Sequence, residues 1–400
     1  MTLGSAAMSL ETVRRRRAHR PRSRVGVVAL GGVGGSSRVA FQVARGLAEE
    51  GHHAVLLSRA EARCSSAETH GVRLRETLVP RAPRAATTEW VASLAGSLVD
   101  AVREDDLCIL NVHYGAGMAA AAVEARRRLA TQGRYVRVCV TLHGTDVTRF
   151  GRDPVQGPAL ARALRGCDEV TAVSHWLADE AVRVLGLGRR PTVIENGVDT
   201  ELFRPRERAY RAGRPVLCHA SSFRAVKRPL DAIAVLEHLR RDGIDAALWM
   251  VGDGPLRDEA VAHARALGPA VRFVPTLPHA DLAALLAEVD LSVVTSASES
   301  FGLFALESMA CGVPVLGTRC GGLEEVLAAD PSGELQATMT AGVGEVQQLA
   351  RHAAAALSDP RTYARLRRRA LFVGQTAFPR ARQVRSYASV MQRLTRDIAA

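Results

Sequence analysis

VGVVALGGVGGSS, residues Val25–Ser37, decides the fold. Val25–Leu30 is an apolar, β-branched run of strand length. Glycines then interrupt the chain before a helical pattern opens at Ser37 and continues to Glu50. Strand, glycine loop and helix start form the unit from which parallel α/β layers are built. Glycine lets the backbone approach a ligand closely, and a helix N-terminus offers unpaired N–H groups and positive potential. A dinucleotide site would want a carboxylate at the end of the second strand to hold a ribose. That strand ends Leu56-Leu57-Ser58-Arg59, with none. The loop around Gly34 and Gly35 is therefore expected to hold an anion or a sugar phosphate.

Working outward, the alternation persists. Strands are expected at Val25–Leu30, Ala54–Leu57, Leu107–Val112, Val136–Thr141, Glu169–Val173 and Thr192–Ile194. Helices are expected at Ser37–Glu50, Thr88–Arg103, Met118–Ala130 and His175–Leu185. The polar, Arg/Pro-rich stretch Arg204–Arg214 reads as a linker. A second series follows, with strands Val216–Ala220, Ala247–Val251, Val271–Val274, Leu291–Thr295 and Val313–Gly317. Its helices are Pro229–Arg241, Leu256–Leu267, Asp281–Glu288 and Leu303–Ala310. The expectation is an α/β chain with two doubly wound halves, residues 24–205 and 206–378, facing a cleft. A last helix within residues 379–400 would cross back to the first half. Ligands in such sheets sit at the carboxyl ends of strands.

Bulk properties fit this picture. Four hundred residues exceed what one core usually serves. No apolar run approaches a membrane span, and no signal peptide is read, so the expected location is cytoplasmic. The seven cysteines, including Cys64, show neither CxxC pairs nor metal-ligand spacing. The net charge of +12 is uneven. Residues 1–24 carry seven arginines against Glu11, or +6, and residues 1–23 are expected to form a disordered basic arm. The other arginines are scattered without an aromatic-interleaved stripe, which argues against nucleic acid. Lys227 is the single lysine among 53 basic side chains. Such a bias towards Arg suggests a GC-rich bacterial genome, and the one retained ammonium suggests a site needing a compact point charge.

Three further stretches carry chemistry. Thr141-Leu142-His143-Gly144-Thr145-Asp146 follows a strand, and His143 there could bond a sugar hydroxyl or orient the reacting centre. Ser221–Arg228, SSFRAVKR, places Arg224 and Lys227 beside a strand end and a helix start. Two cations there suit a departing pyrophosphate. Glu299–Glu307, ESFGLFALE, sets two carboxylates eight residues apart across a helix start whose first amides are unpaired. Glu299 can accept from sugar hydroxyls and Glu307 from a ribose, with phosphates on the amides between.

Together with ENGVDTELFRP (Glu195–Pro205), VGDGP (Val251–Pro255) and GTRCGGLEEV (Gly317–Val326), these stretches resemble the family 4 retaining glycosyltransferases of the GT-B fold. The resemblance covers nearly the whole chain after residue 24. It implies that Arg224 and Lys227 hold the donor diphosphate and that Glu307 binds the ribose. It also implies that Glu299 and the Phe301-Gly302-Leu303 backbone hold the donor sugar, with His143 near its 6-position. NVHYGAGMAAA (Asn111–Ala121), TLHGTDVTRFGRDP (Thr141–Pro154), VTAVSHWL (Val170–Leu177) and SSFRAVKRP (Ser221–Pro229) are similar to strings in a narrower group. That group transfers N-acetylglucosamine to L-malate in bacillithiol formation, and the likeness implies Ser36, Tyr114 and Thr141 on the acceptor.

Two departures stand out. Ser37 and Arg38 replace the group's Gly-Val after the loop serine, and Phe273-Val274-Pro275 replaces the family's F-x-G near the base. UDP and GDP products both stay open. The preferred reading is a specialised relative of lincosamide type, transferring a GDP-activated sugar to a thiol such as ergothioneine; malate is the alternative acceptor. A nucleotide-sugar 2-epimerase and a non-catalytic sugar-nucleotide binder stay open as well. A lipid-acting membrane enzyme is disfavoured, since only Arg126–Arg128 offers a basic helix face. No Asp-x-Asp motif appears, so neither metal nor cofactor is expected. A homodimer is possible from sequence alone.

Overall fold

The computed structural model describes residues 22–31, 34–58, 72–76, 87–205 and 213–399. Most of the basic arm, Gly32, Val33, Cys64 and linker residues 206–212 lie outside them. Among the described residues, thirteen strands form two sheets. The first contains β1 (Arg24–Val28), β2 (His53–Ser58), β3 (Arg73–Glu76), β4 (Ile109–His113), β5 (Arg137–Leu142), β6 (Glu169–Ala172) and β7 (Thr192–Val193), ordered β3-β2-β1-β4-β5-β6-β7. The second contains β8 (Val216–Ala220), β9 (Ala247–Val251), β10 (Val271–Val274), β11 (Leu291–Val294), β12 (Val315–Thr318) and β13 (Thr340–Ala341), ordered β10-β9-β8-β11-β12-β13. All pairings are parallel. A parallel sheet covered on both faces is buried, which is why β4 and β11 are buried at every residue.

The strand order reverses between β1 and β4, and again between β8 and β11. Ligands bind at such switch points, where adjacent loops diverge and leave a crevice. Both crevices open into one cleft of about 1250 Å³ lined by the two domains.

Several elements differ from expectation. Strand β3 reads Arg-Leu-Arg-Glu, without an apolar run, and gains its place by pairing at the sheet edge. Strand β5 extends to Leu142 and β12 begins at Val315. The helix expected over Leu256–Leu267 stops at His263 and tightens into a 3₁₀ segment, Ala264–Ala270, containing Gly268 and Pro269. Helices Gln156–Arg165, Gly322–Ala328, Glu334–Met339, Val346–Ser358 and Pro360–Phe372 complete the layers.

The final helix, Arg380–Ala399, lies on the first domain. Tyr387, Val390, Met391 and Leu394 are buried there with Val39, Val43 and Leu47 of the helix Gly35–Glu49. Each such burial is worth about 1.5–3 kcal/mol. The chain reaches that helix beside the outgoing crossover. Val198 N–H donates to Phe378 O and Arg380 N–H donates to Val198 O, each at 3.0 Å. Among the described residues, no helix is long and apolar enough to cross a membrane.

Candidate active site

The glycine loop after β1 brings Gly34, Gly35 and Ser36 to the cleft. From the following helix, Arg38 reaches across to the second domain, with its guanidinium 4.0 Å from the Glu307 carboxylate. Tyr114, after β4, also lines the cleft. Its φ of +104° lies in a region disfavoured for a side chain with a Cβ, a strain typical of functional positions. Burial pushes its phenol pKa up, while Arg224 and Arg149 oppose the shift. The Tyr114 side chain therefore lies within the electrostatic reach of cations from both domains.

The loop after β5 is organised by Asp146. Its buried carboxylate accepts N–H bonds from Gly115, His143, Gly144 and Val147 at 2.8–3.2 Å. Burial nevertheless raises its pKa. This arrangement fixes His143, whose Nε2 lies 3.0 Å from His113 Nδ1; His113 Nε2 in turn lies 3.3 Å from Asn111 Nδ2. Burial lowers His143 to about 3, so both rings are neutral at ordinary pH. If the Asn111 amide donates to His113, His113 donates to His143, and His143 keeps its own proton on Nδ1. Gly144 passes under the second domain with φ +124°; a Cβ there would stand 2.7 Å from Ser300 Cβ.

In the second domain, Arg224 and Lys227 flank a 3₁₀ turn between β8 and the helix Pro229–Arg241. Lys227 Nζ lies 2.7 Å from Glu299 Oε1, which also accepts from Ser296 Oγ at 2.7 Å. Arg224 donates to Ser222 Oγ. His219, beneath them, lies 3.0 Å from Val293 O through Nδ1 and 2.8 Å from Ser221 Oγ through Nε2. Burial lowers its pKa to about 4. Helix Leu303–Ala310 starts after Gly302 and carries Glu307 to the cleft wall. There burial raises the Glu307 carboxyl to about 7, against the pull of Arg38, while His279 Nε2 stands 3.5 Å away without a hydrogen bond.

Most of the residues singled out from the sequence thus meet at one cleft: Gly34, Gly35, Ser36, Tyr114, His143, Arg224, Lys227, Glu299, Phe301, Gly302, Leu303 and Glu307. Phe301 nevertheless packs its ring edge-on against Phe378, which leaves its backbone for the cleft. Thr141 is a correction. It is fully buried inside β5, 2.9 Å from Thr171 Oγ1 and 3.2 Å from the Tyr387 hydroxyl, and it does not line the cleft. Its strand ends one residue beyond the expected Val136–Thr141, at Leu142, so the loop starts at His143. Sequence reading gave no role to His113, Asp146, Arg149, Trp176 or His279, and met Arg38 only as a departure from the narrower group's pattern. The strings HGTD and NVHYG held a signal for His113 and Asp146; the others depend on tertiary contact. Among the described residues, no group of three or more His, Cys, Asp or Glu side chains is arranged to hold a metal.

A two-sheet molecule with cations and a paired carboxylate at facing switch points has the architecture of a sugar-nucleotide transferase. Residues 33–202 match the domain described as Glycosyltransferase Family 4, and residues 203–371 match Glycosyl transferases group 1. The chain belongs to the family 4 glycosyltransferases of the GT-B fold and moves a sugar from a nucleotide sugar. It is 29% identical to the N-acetyl-alpha-D-glucosaminyl L-malate synthase of Bacillus anthracis, over 94% of this chain and 98% of that one. It is 32% identical to the 2-deoxystreptamine N-acetyl-D-glucosaminyltransferase of Streptomyces fradiae, over 55% of this chain and 56% of that one. In fold it is similar to HepE of Anabaena, solved with UDP and glucose, with a TM-score of 0.77 at 19% identity over 92% of this chain and 99% of that one.

Proposed function

We propose that this enzyme transfers N-acetylglucosamine, with retention of configuration, from UDP-N-acetylglucosamine to a small anionic hydroxy acid such as malate. The observation that carries this reading is Arg149. It lies on the acceptor wall with Tyr114 and Thr148, its guanidinium over the Phe150 ring, and has no carboxylate partner among the described residues. An acceptor carboxylate supplies the missing charge. The malate-synthase relative, matched over nearly the full length of both chains, supports the same acceptor class.

In this mechanism Arg224, Lys227 and the amides at the start of the Leu303 helix stabilise the leaving diphosphate. The bond from the anomeric carbon to the diphosphate breaks and a bond to the acceptor oxygen forms on the same face. The acceptor proton passes to the departing phosphate oxygen. Glu299 and His143 orient the sugar and Glu307 holds the ribose, so no protein nucleophile takes part. Positioning and fixed charges supply the rate.

A second reading keeps the cleft and changes both substrates: a GDP-sugar donor and a thiol acceptor such as ergothioneine. Phe273-Val274-Pro275 beside the base region favours it, with Arg257 over the Phe273 ring instead of an open glycine turn. Thermal shift with UDP against GDP separates the two. A UDP preference followed by a malate glycoside from UDP-N-acetylglucosamine supports the first reading. A GDP preference with no malate product rejects it. Proton NMR of the product reports the anomeric configuration.

A further inference from the structure

The helix His175–Leu185 of the first domain begins with amides that its own backbone cannot satisfy. Ser174 Oγ accepts one of them, from Leu177, at 3.0 Å. Two more are taken by a carboxylate from the opposite domain. Glu325 Oε2 accepts from His175 N–H at 3.0 Å and Oε1 accepts from Trp176 N–H at 2.5 Å. An anion at a helix N-terminus is favoured by both the hydrogen bonds and the helix dipole.

Glu325 is not placed there independently of the donor loop. Its helix, Gly322–Ala328, starts from a turn whose backbone lies on that loop: Gly322 N–H donates to Glu299 O at 2.8 Å. At Gly321 a Cβ would come within 2.3 Å of the same Glu299 oxygen and 3.2 Å of the Trp176 indole. Glu299, the Gly321–Gly322 turn, Glu325 and the His175 helix therefore form one continuous chain of contacts. The Lys227–Glu299 pair lies at one end and the first domain at the other.

We propose that Glu325 is a positioning residue. It clasps the first domain to the second when nucleotide closes the cleft, holding His143 and Tyr114 against the donor loop and keeping water from the activated sugar. The inference rests on the reading that the Glu299–Glu307 segment holds the donor. It touches no substrate in that reading and acts through the two amides it caps. Loss of the clasp would leave nucleotide binding to the second domain intact while disordering the reacting pair.

The test compares wild type, Glu325→Gln and Glu325→Ala. The readouts are thermal melting, UDP and GDP affinity, kcat and donor KM, the fraction of donor hydrolysed instead of transferred, and small-angle scattering with and without nucleotide. The expected result for Glu325→Ala is a melting temperature and nucleotide affinity close to wild type. Its kcat should fall about tenfold or more, its hydrolysed fraction should rise, and nucleotide should no longer compact it. Glu325→Gln retains one acceptor oxygen and should recover part of each. Unchanged kcat and hydrolysed fraction in Glu325→Ala would overturn the proposal, as would a loss of kcat explained by unfolding or a wild type that nucleotide does not compact. Compaction is read with UDP or GDP alone, so it reports the clasp even if the proposed acceptor proves wrong.

Discussion

Replacing Glu307 with Gln should make the protein more stable and bind nucleotide less well. The Glu307 side chain is 7% exposed, and burial raises its carboxyl to about 7 from an ordinary 4.5. At 1.36 kcal/mol per pH unit, that gap corresponds to about 3 kcal/mol. The folded protein holds this proton more tightly than the unfolded chain. The stabilisation it brings is complete below pH 4.5 and is lost as pH rises to about 7. Above 7 the buried carboxylate is a standing cost, the opposing pull of Arg38 being already contained in the value of about 7. Gln carries no such slope, so the variant's advantage should grow from near zero at pH 4.5 to as much as about 3 kcal/mol at pH 8. Ribose hydroxyls donating to a carboxylate gain more than those donating to an amide, by about 1 kcal/mol, so nucleotide should bind the variant about fivefold to tenfold more weakly at pH 8. In wild type, affinity should rise from pH 6 to pH 8 as the carboxyl ionises. Urea unfolding across pH 5–8.5 and calorimetric titration with UDP and GDP measure both arms. Parallel stability curves would refute the burial argument, and equal nucleotide affinities at pH 8 would refute the ribose role.

Lys227→Met should lower kcat by about 10²–10³, the usual cost of losing one preorganised charge at a developing anion. Its melting point should fall modestly, because the Lys227–Glu299 pair is partly exposed and Ser296 still bonds Glu299; a kcat within threefold of wild type would remove Lys227 from the diphosphate. Gly144→Ala combines a positive φ with a 2.7 Å contact on Ser300, so it should lose about 1–2 kcal/mol of stability from backbone strain and lower kcat by holding the domains apart. Wild-type melting and turnover would show that the contact yields easily. The His113–His143 pair should show His143 as the Nδ1–H tautomer in ¹⁵N spectra, with no titration above pH 5; a mobile proton or a pKa near 6.5 would break the relay from Asn111.

Much of the fold was legible because a parallel sheet writes itself as short β-branched runs between amphipathic helices. Val216–Ala220, Ala247–Val251, Met118–Ala130 and Leu303–Ala310 were read to the residue for this reason. Strand β3 was not, since Arg73-Leu74-Arg75-Glu76 has no apolar periodicity and owes its conformation to β2. Within the cleft, glycine-rich and charge-dense loops at strand ends announced themselves locally. Arg38 and Glu325 did not. Arg38 sits in a long amphipathic helix and Glu325 in a seven-residue one, and each meets a partner about 270 or 150 residues away that no local pattern shows. Thr141 misled for a related reason. Polar residues at a strand end usually face a cleft, but Tyr387 arrives from the last helix to take this hydroxyl into the core.

Asp146 explains why the first domain can offer so exact an edge to the second. A buried carboxylate is costly, and here burial raises its pKa despite four N–H donors. Those donors belong to two different loops: Gly115 follows β4, and His143, Gly144 and Val147 follow β5. One side chain therefore ties the Tyr114 loop to the His143 loop across the neighbouring strands. The strained φ of Tyr114 and the positive φ of Gly144 lie on either side of that tie. Without it, each loop could relax its own backbone and the pair would lose their common register. With it, the His143 and Tyr114 loops share one register beside Gly144, which lies against Ser300 of the second domain. The cost of one buried carboxylate is thus offset by a fixed geometry at the edge of the cleft.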